Sequence, residues 1–140
     1  MKTHATALLL ALAISPAIAL EQSAAGTYAI VHSDGHITDR LFRVTSLSGR
    51  WKLEDKKADG TWSDVTCERD CELQVSAAEH IQRIFTPAEL AKITPDCVHN
   101  MAFAFCAYTV KSKPGAVGYV LMALVRDKPT PIRLARVKGG

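Results

Sequence analysis

The sequence predicts an α+β fold, a mainly antiparallel β-sheet of about six or seven strands with two short helices inserted mid-chain and disulfides joining its parts. Three observations in the 140 residues carry this prediction. Two Asp-Gly pairs lie between β-prone runs, two helix-start signals follow each other in the middle of the chain, and four cysteines are present in even number.

The first four predicted strands form two hairpins. "TYAIVHSDGHITDRLFRV" turns at Asp34-Gly35, and "GRWKLEDKKADGTWSDVTC" turns at Asp59-Gly60. Asp-Gly supplies the positive φ angles that a tight hairpin turn requires. A loop of two or four residues in the second hairpin places Trp51, Leu53 and Trp62 on one face of the sheet and Lys52, Glu54, Lys56 and Ser63 on the other.

The middle of the chain is predicted to be helical. In "SAAEHIQRIF", Ser76 can cap a helix while Glu79 reaches back, and "TPAELAKI" repeats this capping box with Thr86 and Glu89. The first helix then has one apolar face, made of Ala77, Ala78, Ile81, Ile84 and Phe85. His80 falls on the opposite, polar arc, which predicts a solvated surface histidine.

Three longer strands are predicted after Cys97. "NMAFAFCAYTV" and "VGYVLMALVR" are apolar at successive positions, which is typical of strands covered on both faces. "KPGA", residues 113–116, predicts a type II turn between them. "PIRLARV" is the last strand.

The four cysteines are predicted to form two disulfides, as is usual for an even number in an exported chain. The segment between Cys71 and Cys97 is predicted to contain the two helices, so a disulfide between its two ends would close it into a loop. This favours a nested pairing of Cys71 with Cys97 and Cys67 with Cys106. The alternative is a zinc site made of Cys67, Cys71, Cys97 and His99, whose Cys-x-His half has unusual spacing.

The N-terminal residues 1–19 have the layout of a secretory signal peptide, with Lys2, a short apolar run and the end Ala17-Ile18-Ala19. Cleavage there leaves one domain, residues 20–140, in a soluble periplasmic or secreted protein with no stable membrane anchor. Removing Lys2 from the 17 basic residues leaves 16 against 14 acidic residues, a formal charge of +2. Such a balance argues against a nucleic-acid partner, which would need a clustered basic surface.

No catalytic motif or cofactor fingerprint is present, so neither an enzyme nor a bound cofactor is predicted. His32 and His36 flank the first hairpin turn near Asp34 and form a conceivable exposed metal site. A structural or catalytic metal needs three or four ligands, so no metal is predicted at this pair.

By elimination, the sequence predicts a small non-enzymatic protein that binds another exported protein, such as an inhibitor or a toxin-immunity protein. The candidate contact surface is the second hairpin tip, where Lys56, Lys57 and Asp59 supply charge and Trp62 could anchor an interface. Two alternatives stay open. One is a barrel-like carrier of a small apolar ligand, in which the two-sided apolar strands and the paired tryptophans would line a cavity. The other is an enzyme whose residues converge only in three dimensions.

Overall fold

A computed structural model describes residues 20–65 and 71–139. They form nine strands, two α-helices and one short 3-10 helix. The 3-10 helix is Gln22–Ala24, the α-helices are α1 Ala78–Ile84 and α2 Pro87–Leu90, and the strands are β1 Gly26–Val31, β2 Ile37–Leu47, β3 Arg50–Lys56, β4 Trp62–Asp64, β5 Gln74–Val75, β6 Ile93–His99, β7 Phe103–Val110, β8 Lys113–Ala123 and β9 Thr130–Arg136.

All nine strands belong to one sheet in the order β4-β3-β2-β1-β9-β8-β7-β6-β5, and every neighbouring pair is antiparallel. The first and last long strands are therefore neighbours. An isolated antiparallel bridge joins Trp51 of β3 to Leu73, just before β5. The two ends of the sheet thus meet, and the sheet curls into a barrel-like ring with β4 outside the point of closure.

Side chains fill the inside of this ring. Alternate residues of the long strands point inward and form one apolar cluster. Its buried members are Leu20, Ala24, Tyr28, Phe42, Val44, Trp51, Leu53, Leu73, Val98, Phe105, Leu121 and Leu134. At the centre, the ring of Tyr28 lies 5.3 Å from Phe105 and 4.9 Å from Tyr119. The inner core is therefore built around three aromatic rings.

The two α-helices cover part of the outer face of the sheet. Ile84 and Phe85 pack onto outward-facing side chains of β6, β7 and β8 in a second cluster. That cluster also contains Cys97, Ala104, Cys106, Val120 and Met122. β7 is consequently covered on both faces, as its sequence predicted.

The predicted class is confirmed, since the sheet is antiparallel and two helices follow the first four strands. The predicted number of six or seven strands is wrong, because β5 and β6 were missed. β5 has only two residues, and β6 contains Pro95 and Asp96, which are rare within strands.

The turn at Asp59-Gly60 is present, but its length differs from the prediction. Lys57 N–H donates to the carbonyl of Thr61, which leaves three residues between them, and Gly60 adopts a φ of 87°. A loop with an odd instead of an even number of residues moves each side chain of the following strand to the opposite face of the sheet. Lys56 therefore pairs with Trp62, and the prediction that Trp62 shares a face with Trp51 is wrong.

Of the two predicted N-terminal helix caps, one is confirmed and one is wrong. The capping box of Thr86 and Glu89 is confirmed. The cap predicted for Ser76 is wrong, because α1 has Ala77 at its N-cap and no side chain caps it. The hydroxyl of Ser76 lies 2.7 Å from Nδ1 of His99 instead.

The turn predicted at residues 113–116 does not connect the two strands, although Gly115 has the positive φ, 84°, that the third position of a type II turn requires. The chain turns at Lys111-Ser112, and β8 already begins at Lys113. Val110 pairs with Lys113 whereas Thr109 pairs with Val117, so the Pro-Gly pair forms a bulge within β8.

The nested disulfide pairing is wrong, because Cys97 is bonded to Cys106. These residues face each other directly on β6 and β7, with their Cα atoms 4.1 Å apart. Cys71 lies beyond the far end of β6, where its carbonyl accepts a hydrogen bond from Asn100. Cys71 is disulfide-bonded as well, and Cys67 lies outside the described residues.

The chain enters the ring at one end, where Arg136 donates hydrogen bonds to the carbonyls of Ser23 and Ala25, each 2.7 Å long. Tyr28 Oη donates to the carbonyl of Ala24 at 2.5 Å.

The predicted signal peptide, residues 1–19, lies outside the described residues. Within residues 20–65 and 71–139, no helix has the length and apolar character needed to cross a membrane.

Candidate functional site

The outer face of β2, β3 and β4 carries a cluster of charged side chains around one tryptophan. We call this surface the Trp62 face, and its members are Arg43, Lys52, Glu54, Lys56, Trp62 and Asp64. The guanidinium of Arg43 lies 4.5 Å from the centre of the Trp62 indole, and the Lys56 ammonium lies 6.0 Å from it. Two cations thus hold a half-buried indole on the outside of the sheet.

A chain of ion pairs fixes the charges of this face. Glu54 is buried, and its Oε2 atom accepts a 2.9 Å hydrogen bond from Nε of Arg43. Nη2 of the same guanidinium forms an ion pair with Oε2, also at 2.9 Å. Lys52 Nζ lies 3.7 Å from Glu54 Oε1 and 2.9 Å from Asp64 Oδ1. The hydrogen bond to Asp64 and the nearby negative charges raise the pKa of Lys52, which keeps this ammonium charged.

The structure separates the four residues predicted at the hairpin tip. Lys56 and Trp62 lie together on the Trp62 face. Lys57 instead pairs with Asp55, 2.9 Å away, and its ammonium lowers the pKa of that carboxyl. Asp59 accepts bonds from the backbone and hydroxyl of Thr61, which lower its pKa. Lys57 and Asp59 therefore make local contacts that stabilise the turn.

A half-open cavity of about 400 Å³ lies beside the Trp62 face. Its apolar wall includes Trp51, Leu53 and Val65, and Lys52 and Asp64 reach it from the Trp62 face. The other lining residues are Thr45, Leu47, Arg50, Cys71, Glu72 and Asn100. The charged surface and the apolar cavity are thus continuous.

The histidines occupy two separate places. At the first hairpin, His32 Nδ1 lies 3.4 Å from Asp34 Oδ1 in an exposed turn. His80, predicted to be solvated, is instead stacked on His99, and this prediction is wrong. Both rings line a surface cleft together with Glu72, whose carboxylate lies 3.8 Å from Nε of Arg50.

Metal ligands do not converge in the part of the chain that the structure describes. It contains no group of three or more His, Cys, Asp or Glu side chains placed to hold a metal ion. The zinc site with Cys97 and His99 is ruled out at Cys97, since its sulfur is bonded to Cys106.

Arg43 and Glu54 are members of this site that were not predicted from the sequence. Arg43 lies on β2, the second strand of the first hairpin. The signal that could have found it is register: once β2 and β3 are paired through their short turn, Arg43 stands opposite Glu54. Opposite charges at facing positions stabilise such a pair of strands.

Comparison with protein-family models, with curated proteins and with solved structures finds no significant match to this chain.

Proposed function

We propose that this chain is a non-enzymatic, exported protein, periplasmic or secreted, that binds another exported protein through its Trp62 face, as an inhibitor or a toxin-immunity protein does. The observation that carries the proposal is the position of Trp62 on the outside of the sheet, flanked by Arg43 and Lys56. Tryptophan and arginine are enriched among the residues that dominate binding energy at protein interfaces.

The ordered state of this face supports the proposal. Because Arg43 is held by Glu54 and Lys52 by Asp64, these long side chains are already fixed before a partner arrives. Side chains that are ordered in advance lose less conformational entropy on binding. The cations around the indole match a partner surface with an apolar residue at its centre and acidic side chains around it.

The filled interior of the ring also supports a role at the surface. Tyr28, Phe105 and Leu121 are fully buried within the ring. Apolar side chains thus occupy the central space that a carrier of a large ligand would leave open.

The proposal is tested by capturing partners from the exported fraction of the source cells on the immobilised protein. Trp62→Ala is expected to weaken binding of the captured protein about 30-fold, the equivalent of 2 kcal/mol. Lys56→Gln is expected to weaken it less, and Lys57→Gln less than Lys56→Gln, because Lys57 pairs with Asp55 away from the Trp62 face. Affinities are measured by titration calorimetry once the captured protein is purified.

Val125→Ala is the matched control, since Val125 is an apolar side chain that is 70% exposed in the loop after β8. It is expected to leave the affinity unchanged. If Trp62→Ala folds normally by circular dichroism and keeps the wild-type affinity, the assignment of the Trp62 face is wrong.

A second candidate function, carriage of a small apolar ligand, is favoured by the cavity beside Trp51. Its volume of about 400 Å³ falls in the range of small-molecule sites. Trp51 lines this cavity, whereas Trp62 lies on the outer face, so the two tryptophans can be distinguished.

A fluorescence titration tests the carrier function. In a Trp62→Phe variant, Trp51 is the remaining tryptophan of the chain. For a carrier, a long-chain fatty acid such as palmitate should change its emission saturably, and a Trp51→Phe variant should give no such change. The absence of a saturable change in the Trp62→Phe variant would contradict the carrier function for fatty acids.

A further inference from the structure

Helix α1 contacts strand β6 through two stacked imidazoles. The rings of His80 on α1 and His99 on β6 have their centroids 3.6 Å apart and their planes 18° from parallel. Nδ1 of His99 lies 2.7 Å from the hydroxyl of Ser76. Nε2 of His80 is buried and, within the described residues, has no hydrogen-bond partner. Both rings are partly withdrawn from water at the wall of a cleft.

This geometry accommodates two neutral rings better than charged ones. A neutral His80 with its proton on Nδ1 leaves Nε2 as a bare acceptor, whereas protonation would create a buried N–H without an acceptor. Ser76 can either donate to a neutral His99 or accept from its Nδ1–H. His99 can therefore take up a first proton and keep this bond, but a second proton on His80 would place two cations in stacking contact.

We propose that His80 and His99 form a pH-sensitive latch, which holds α1 on β6 when both rings are neutral and releases α1 in an acidic medium. The segment that would move is short, since α1 spans Ala78–Ile84. Its release would uncover the outer face of β6 and β7, where Ile84 and Phe85 now pack on Cys97, Ala104 and Cys106.

Two other charged side chains, Arg83 and Glu72, lie near the pair. On α1 itself, Arg83 adds positive charge near both rings. From the segment before β5, Glu72 shares the cleft, and its carboxylate lies close to Arg50. The other side chains in the cleft, Gln74, Asn100, Met101 and Leu124, do not titrate.

The electrostatics give the sign of the pH dependence. Burial first, and then the charges of His99 and Arg83, lower the pKa of His80, while burial and Arg83 lower the pKa of His99. The unfolded chain then binds more protons than the folded one, so stability rises with pH. The stability that the neutral histidine pair contributes is fully present above the ordinary histidine pKa of about 6.5. It is lost as the pH falls from there toward the two lowered values.

The test is urea unfolding of the exported protein between about pH 7.5 and pH 5, with proton NMR of the imidazoles over the same range. Each unit by which a ring's pKa is lowered reduces the folding constant up to about tenfold across this range. We expect a loss of more than about tenfold in the wild type. His80→Phe keeps an aromatic ring on His99 but removes the second charge, so its loss should be clearly smaller.

His36→Phe is the matched control, because His36 is exposed at the first hairpin, and it should retain the wild-type pH dependence. Hydrogen exchange should show that the amides of His80 and Ile81 open before the sheet does as the pH falls. Two rings titrating independently near pH 6.5 in the wild type would overturn the latch, whether or not the variants fold. An unchanged pH dependence in folded His80→Phe would overturn it as well.

Discussion

Phe105→Ala is expected to lower the free energy of unfolding by about 4 kcal/mol. Phe105 is fully buried at the centre of the ring, where it contacts Tyr28 and lies 6.3 Å from Tyr119, centroid to centroid. Truncation removes the apolar contacts of Phe105 with the other two rings. The strands around them hold those rings in place, so the cavity cannot collapse. Urea unfolding followed by circular dichroism measures the change.

Val117→Ala is the control for this substitution. Val117 lies on the neighbouring strand β8 and is half exposed, so its truncation should cost less than about 0.5 kcal/mol. If Phe105→Ala prevents folding, Phe105→Leu should still fold with a loss of about 1 kcal/mol. A loss below about 1 kcal/mol in Phe105→Ala would contradict the filled ring.

Arg43→Ala is expected to destabilise the fold by about 2 kcal/mol, because it removes both the hydrogen bond and the ion-pair contact that the guanidinium makes to Oε2 of Glu54. The Glu54 side chain is only 11% exposed, and Lys52, 3.7 Å away, would be left as its ion-pair partner. The same change removes the guanidinium from Trp62 and should increase the mobility of its indole.

A double-mutant cycle separates the ion pair from simple truncation. In a Glu54→Gln background, Arg43→Ala should cost clearly less than in the wild type, since no buried charge is left unpaired. Arg40→Ala is the matched control, because Arg40 is exposed and lies over Phe42 without an ion pair among the described residues. Equal costs of Arg43→Ala in both backgrounds would contradict the role of the ion pair.

Local signals in the sequence predicted much of the fold. Asp34-Gly35 and Asp59-Gly60 mark real turns, and Thr86 caps its helix, because each depends on residues next to each other in the chain. The two-sided apolar pattern of β7 also predicted a strand covered on both faces. These features need no knowledge of distant partners.

The errors share a different physical cause, since each depends on register or on contacts between distant residues. A change of one residue in the length of the loop decides whether Trp62 points inward or outward. Loops with even and with odd numbers of residues both suit an Asp-Gly turn, so the sequence does not decide between them. The Cys97–Cys106 bond follows from the pairing of β6 with β7, and β6 was not recognised. Ser76 can cap a helix in isolation, but in the fold its hydroxyl meets His99, 23 residues away.

The most direct test of the Trp62 face as a protein-binding surface is photo-crosslinking in the living cell. A benzoylphenylalanine is placed at position 62 and, as a control, at position 125. We expect a covalent adduct with one exported protein at position 62, and excess wild-type protein, but not the Trp62→Ala variant, should compete with its formation. No protein adduct at position 62, or the same adduct with equal yield at position 125, would contradict it.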